Sequence, residues 1–160
     1  MNNQKRKTIL TEQVAIEKAR KYCAFQERCQ QEVRNKLYEW GLYSQLVEGI
    51  IAHLIAEGFI NEERFANIFA GGKFRIKKWG KQKIMIELQK RKISDYSINK
   101  AIEAIENDDY EKTLEKTILK KAKELKEKDN FILKNKLAKY TISKGFESEI
   151  VWHFLNKKFN

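Results

Sequence analysis

The stretch of sequence that decides the fold comprises residues 32–54, EVRNKLYEWGLYSQLVEGIIAHL. Its apolar residues recur every three or four positions on either side of a glycine, which is the spacing of two amphipathic helices joined by a tight turn. The pattern returns 51 residues later, around residues 83–105, and returns again after a further 53 residues, around residues 136–155. Repetition at an interval of this size is the signature of a helical-repeat protein. The chain therefore contains three copies of one unit.

The segments before each copy also predict helices, over residues 11–26, 61–77 and 108–127. The second of these opens with Asn61-Glu62-Glu63, a capping residue followed by two acids that suit the positive end of a helix dipole. It also contains Gly71-Gly72, where we expect a kink or an early end because two glycines cost about 2 kcal/mol of helix propensity.

Three helices for each copy predict an all-α fold of three tandem three-helix repeats that form an elongated, curved helical array. The predicted segments are a flexible basic N-terminus over residues 1–10, then repeats over 11–58, 59–107 and 108–160.

The predicted turns carry residues typical of helix ends. Gly41 and Gly145 stand where a helix C-terminus favours a left-handed residue, and Lys92 takes that place in the middle copy, where we expect mild strain or a different turn. Serines that can cap the next helix lie at or beside its start. They are Ser44, Ser94 and Ser148.

The composition excludes several classes of protein. The 160 residues carry a net charge of +11, 42% hydrophobic residues, 7 Gly and no Pro. Three Trp, six Tyr and nine Phe argue against a disordered basic tail. No apolar run is long enough to span a membrane. The scarcity of glycine and the absence of proline, the residues that favour tight turns, argue against a many-stranded sandwich or barrel. The expectation is a soluble, helical, cationic protein.

Two features bear on the cellular compartment. Cys23 and Cys29 are the only cysteines, without the spacing of a CxxC pair or a Cys/His metal site, and are expected to be buried small hydrophobes, with a disulfide as the alternative. The polar start, residues 1–7, is followed by no apolar signal-peptide core. The cytoplasm is the expected location.

The positive charge is concentrated in residues 73–92, where nine basic residues and one acid leave +8 of the total +11. Such a stretch can bind nucleic-acid phosphates or an acidic protein surface, or it can be a solvated helix face. Phe74 and Trp79 lie among the cations and are more typical of packing residues than of stacking platforms. The predicted contacts are Lys73, Arg75, Lys77, Lys78, Lys81 and Lys83, with Arg64 as a weaker candidate that can pair with a neighbouring acid instead.

No catalytic constellation is apparent in the sequence. The glycines form no phosphate-binding loop, and His53 and His153 lie in apolar helical stretches where a helix-face role is more common than catalysis. We therefore expect a protein that is not an enzyme and that needs no metal or cofactor.

The centre of the chain resembles a known family. Residues 58–66, GFINEERFA, and 79–84, WGKQKI, followed by Glu87-Leu88, resemble the central signature of the RecX regulators of the bacterial RecA recombinase. Weaker matches flank this segment on both sides, so the resemblance runs from about residue 15 to residue 154. Three positions depart from the family pattern. Cys29 replaces a capping serine, Lys92 a glycine and Thr141 an apolar residue.

The resemblance implies three tandem three-helix repeats, no catalysis, and binding in the groove of the RecA–DNA filament. It also implies inhibition or modulation of RecA ATP hydrolysis and strand exchange, in recombination and DNA repair. The implied partners are the RecA filament and single- or double-stranded DNA within or beside it, with no membrane, and a monomer is expected. The charge alone permits a second reading, a helical-repeat nucleic-acid-binding protein that acts independently of RecA, and a scaffold for other proteins is a third.

Overall fold

The computed structural model describes residues 11–160, and the predicted basic N-terminus, residues 1–10, lies outside the described residues. The described part of the chain consists of nine α-helices without strands. They are α1 (Glu12–Phe25), α2 (Gln30–Glu39), α3 (Ser44–Ala56), α4 (Glu62–Lys77), α5 (Lys81–Lys90), α6 (Asp95–Glu103), α7 (Asn107–Leu125), α8 (Asn130–Ser143) and α9 (Ser148–Lys158). None of these nine helices combines the length and the apolar content that crossing a bilayer requires.

The repeated apolar positions are buried in all three copies. Val33, Ile84 and Leu137 occupy the same position in α2, α5 and α8, and each is 0% exposed. Thr141 stands where the other copies have leucine, and its buried hydroxyl donates to the Leu137 carbonyl oxygen at 2.6 Å. That bond satisfies a polar group that is costly to bury alone. The predicted all-α fold of three-helix units is confirmed.

Side-chain caps begin α1, α4, α6 and α8, and those of α4 and α6 are made by residues that the sequence singled out. The Arg64 N–H donates to Asn61 Oδ1 at 2.9 Å at the start of α4, and the Ser97 N–H donates to Ser94 Oγ at 3.3 Å at the start of α6. Ser44 and Ser148 are instead the first residues of α3 and α9, and the preceding residues take the cap position without a side-chain bond. The predicted serine cap is therefore confirmed in the middle copy alone.

Helix α4 runs without interruption through Gly71 and Gly72, so the expected early end there is wrong. Burial of Ala70 and Phe74 on the inner face stabilises this part of the helix against the glycine penalty. The Arg75 guanidinium lies over Gly71, where a β-carbon would come within 2.9 Å of its nitrogens.

The chain divides into two compact units, and the division falls within α4, after Phe65. The first unit contains α1, α2 and α3, which pack on one another, together with Arg91–Ile93. Cys23 and Cys29 are both buried in it with free thiols, as predicted. In the second unit α5 packs on α6, and α8 packs on both α7 and α9. These units do not coincide with the three predicted segments, whose boundaries stay a prediction.

Candidate partner-binding surface

The basic segment lies where α4 ends and α5 begins, in the second unit. Helix α4 ends because Lys78 adopts a left-handed conformation, with φ 59°. The Lys78 N–H donates to the Phe74 carbonyl oxygen at 3.1 Å, and the Trp79 N–H donates to the Lys73 carbonyl oxygen at 3.2 Å. These bonds turn the chain sharply, so that the last turn of α4 and the first turn of α5 present their side chains close together.

Two of the predicted cations meet on the ring of Trp79. The Lys73 ammonium lies 5.0 Å from the ring centroid and the Lys83 ammonium lies 4.5 Å from it. Phe69 completes the group, with its ring 6.4 Å from that of Trp79 and 5.4 Å from the Lys73 ammonium. We call these four residues the Trp79 cluster. Each cation–π contact at a half-exposed site is worth about 0.5–1 kcal/mol, enough to orient the ammonium groups while leaving them charged and accessible.

Lys77 and Lys78 extend the positive surface beyond the Trp79 cluster. Both are exposed, beside Ile76, whose side chain is 77% exposed. Cations at a helix C-terminus are favoured by the helix dipole, which accounts for part of their placement. Within residues 11–160, the four lysines Lys73, Lys77, Lys78 and Lys83 form no ion pair with a carboxylate. Their charge is therefore available to a partner.

Lys81 is built into the packing of the second unit. Its backbone N–H donates to the Tyr110 hydroxyl at 3.0 Å, and its ammonium lies 4.6 Å from the Tyr110 ring centroid. The same hydroxyl donates to the carboxylate of Glu147 at 2.9 Å. Burial raises the pKa of Tyr110, and the neighbouring Glu147 charge adds to that shift. Phe74 and Phe146 pack on the Tyr110 ring, which confirms the packing role predicted for Phe74.

The first turn of α5 is capped by the turn between α8 and α9. The Gly80 N–H donates to the Lys144 carbonyl oxygen at 2.8 Å, and the Gln82 N–H donates to the Gly145 carbonyl oxygen at 3.0 Å. A β-carbon on Gly80 would lie 2.2 Å from the Gly145 carbonyl carbon, so both glycines are needed for this approach. Sequence reasoning missed this junction, although the pattern Trp79-Gly80-Lys81 and the conformation expected of Gly145 were its available signals.

The two predicted arginines lie elsewhere. Arg75 lines a separate groove of about 310 Å³ that also contains Glu106 and Asp109. Arg64 belongs to the first unit, where its guanidinium donates to Glu27 at 2.9 Å and to the Gly58 carbonyl oxygen at 2.9 Å. The alternative of an ion pair is therefore the one the structure supports for Arg64. The candidate surface reduces to the Trp79 cluster with Lys77 and Lys78, and Lys81 at its base.

The fold and this surface define a class: an all-α protein of three-helix domains that concentrates its positive charge around an aromatic cluster. Comparison with known proteins identifies the family within this class.

A family model described as RecX, second three-helix domain, matches residues 61–102, which include the Trp79 cluster. The regulatory protein RecX of Clostridium tetani is 30% identical over 132 residues, 81% of this chain and 60% of that protein. That of Streptococcus uberis is 31% identical over 131 residues, 81% of this chain and 50% of that protein.

The structural comparison agrees with the sequence comparison. The crystal structure of RecX from Lactobacillus salivarius superposes with a TM-score of 0.81 at 20% identity, over 91% of this chain and 95% of that one. At that identity the match establishes the fold. The chain belongs to the RecX family, whose relatives here are named regulatory proteins. It spans 60% and 50% of the lengths of these two curated relatives.

Proposed function

We propose that this protein binds the RecA–DNA filament and mainly inhibits RecA ATP hydrolysis and strand exchange, in recombination and DNA repair in the cytoplasm. The observation that carries the proposal is the Trp79 cluster with its neighbouring lysines, inside the segment that matches the RecX family model. Among residues 11–160 the lysines of this positive surface have no ion-pair partner. A positive surface of this kind can bind the phosphate oxygens of DNA in such a filament, or an acidic surface of its protein.

The mechanism rests on occupancy of that groove. Lys73, Lys77, Lys78 and Lys83 attract the filament electrostatically, and the attraction accelerates the encounter because unpaired cations concentrate the field on one face. Once bound, the helical repeats obstruct the second DNA strand and the rearrangement of protomers that accompanies ATP hydrolysis. No catalytic group of this chain takes part.

A second candidate is a nucleic-acid-binding protein that acts without RecA. The half-exposed Trp79 ring between two ammonium groups favours it, because a ring flanked by cations can stack on a base while the cations bind adjacent phosphates.

Titration against bare single-stranded DNA and against RecA-coated single-stranded DNA separates the two candidates. The proposed function predicts tighter binding to the coated DNA and a dose-dependent fall in RecA ATP hydrolysis. Equal, strongly salt-dependent binding to both forms, with unchanged ATP hydrolysis, contradicts it and supports the second candidate.

A further inference from the structure

A second surface of the same unit has properties different from those of the Trp79 cluster. A groove runs between α7 and α9, formed by two adjoining cavities of about 340 and 210 Å³. Glu115, Phe154 and Lys157 line both cavities, so the two are continuous. We call this the α7–α9 groove.

The groove arises from how the helices of the unit pack. α7 and α9 each pack closely against α8, and the groove follows the line between α7 and α9. In the first unit the corresponding helices, α1 and α3, pack directly on each other. In the second unit the side chains of α7 and α9 leave a groove at the surface.

The floor of the α7–α9 groove is apolar. Leu114 is buried beneath it, and Leu119, Ile150 and Phe154 are partly exposed along it. Ile150 and Phe154 are four residues apart on α9 and thus lie on one face of that helix. Leu119, 36% exposed, extends the apolar strip from the α7 side. Burial of such apolar surface by a partner stabilises the complex.

The two walls of the groove carry opposite charges. Glu111 and Glu115 line the α7 side, whereas Lys157 and Lys158 line the α9 side. Among residues 11–160 none of these four side chains has an ion-pair partner, although Glu115 and Lys157 line the same cavity. A helix lying between the walls could therefore pair with charges on both of them.

We propose that the α7–α9 groove binds an amphipathic α-helix of a protein partner, with a basic flank against Glu111 and Glu115 and an acidic flank against Lys157 and Lys158. A space between two helices with an apolar floor suits a third helix. From Glu111 to Leu119 the groove follows eight residues of α7, or about 12 Å, which is about two turns of a bound helix. An acidic wall disfavours a nucleic acid as the occupant.

The proposal rests on the proposed function, because it assigns the bound helix to the RecA protein of the filament and the Trp79 cluster to its general electrostatic attraction. It separates two kinds of contact. Loss of the Trp79 cluster weakens binding in a salt-dependent way, whereas loss of the apolar groove floor weakens binding to the filament and leaves binding to bare DNA unchanged.

The test uses the full chain and two groove variants. Leu119→Ala with Phe154→Ala removes the floor, and Glu111→Lys with Glu115→Lys reverses the acidic wall at two exposed positions. The matched control for the floor is Phe131→Ala with Ile132→Ala, two exposed apolar residues of α8 outside the groove. Binding to RecA-coated and to bare single-stranded DNA is measured by titration, and circular dichroism checks helicity.

We expect each groove variant to bind RecA-coated DNA roughly tenfold more weakly than the wild type, as for loss of a central interface anchor. The floor variant and the control keep wild-type affinity for bare DNA, and the control keeps it for the filament too. Filament affinity unchanged in both groove variants overturns the groove assignment while the proposed function stands. A wild-type chain that does not prefer the filament overturns the proposed function, and with it the partner. A wild-type dimer that the floor variant dissociates overturns the assignment in favour of a second copy of this chain.

Discussion

The junction between α5 and the α8–α9 turn makes a sharp prediction about Gly145. Gly145→Ala places a methyl group on a residue with φ 103°, 2.4 Å from the Lys83 β-carbon and 2.6 Å from the Lys83 nitrogen. The left-handed conformation costs about 1–2 kcal/mol for a non-glycine residue. The methyl group also drives the turn away from α5 and breaks two backbone hydrogen bonds, each worth about 1 kcal/mol net. We expect the free energy of unfolding to fall by about 3–4 kcal/mol.

Gly41→Ala is the matched control for this prediction. Gly41 ends the equivalent helix in the first copy with φ 90°, and nothing lies within 4 Å of the position its β-carbon would take. In that variant only the left-handed conformation of alanine is unfavourable, so the free energy of unfolding should fall by about 1–2 kcal/mol. Gly80→Ala supplies the complementary case, a close approach to the Gly145 carbonyl carbon without a positive φ.

Urea unfolding followed by far-ultraviolet circular dichroism measures all three variants under one condition. We expect the free energy of unfolding to fall by about 2 kcal/mol more in Gly145→Ala than in Gly41→Ala, which is the contribution of the two broken hydrogen bonds. Equal losses for the two variants would mean that the α8–α9 turn does not hold α5, and would refute the junction.

Three further predictions concern stability. Tyr110→Phe should lower the free energy of unfolding by about 1–3 kcal/mol in the same urea assay, because it leaves the Lys81 N–H and the Glu147 carboxylate without their shared partner; an unchanged midpoint contradicts this. Lys92→Gly should raise the free energy of unfolding by about 1 kcal/mol, because glycine adopts the φ of 58° found at this position without strain. A lower free energy of unfolding would mean that the lysine stabilises the turn. Burial raises the pKa of the Cys23 thiol from 9.0 to about 11. The buried neutral thiol therefore contributes fully to the free energy of unfolding below pH 9.0, and this contribution is lost as the pH rises toward about 11. Cys23→Ala should therefore lose less stability at alkaline pH than the wild type. An identical pH profile of stability for the two proteins contradicts this prediction.

The repeat and its helices could be predicted from the sequence because the apolar positions recur at the same places in each copy. Val33, Ile84 and Leu137 are related by intervals of 51 and 53 residues, and all three are buried. Gly71 and Gly72 misled the prediction because local helix propensity favours a break there. The structure places the Arg75 guanidinium against Gly71, and burial on the inner face of α4 overrides the propensity.

The sequence predicts which segment of the chain carries the candidate site, but not which of its side chains lie together on the surface. The excess of lysine between residues 73 and 92 is visible in the sequence, but which lysines meet depends on the turn at Lys78. That turn brings Lys73 and Lys83 to one ring, whereas Lys81 is drawn onto Tyr110. The residues that hold Lys81 lie 29 and 66 positions further along the chain, at Tyr110 and Glu147, where local periodicity carries no information about the contact.

The positive charge of the candidate surface is therefore carried by a few lysine side chains, two of which are held in a fixed orientation. Lys73 and Lys83 are held by the Trp79 ring, and Lys77 and Lys78 extend from the end of α4. Orientation before binding lowers the side-chain entropy that a partner contact would otherwise cost. This is the physical reason to expect that the position of the charge, and not its amount, decides partner binding.

The most direct test of that claim is RecA ATP hydrolysis on single-stranded DNA with two triple variants of equal charge change. Lys73→Glu, Lys77→Glu and Lys83→Glu reverse the candidate surface, and Lys112→Glu, Lys116→Glu and Lys120→Glu reverse three exposed lysines of α7. The account predicts that the wild-type chain and the α7 variant inhibit hydrolysis, whereas the candidate-surface variant, with unchanged helicity, does not. Equal inhibition by the two variants would contradict it.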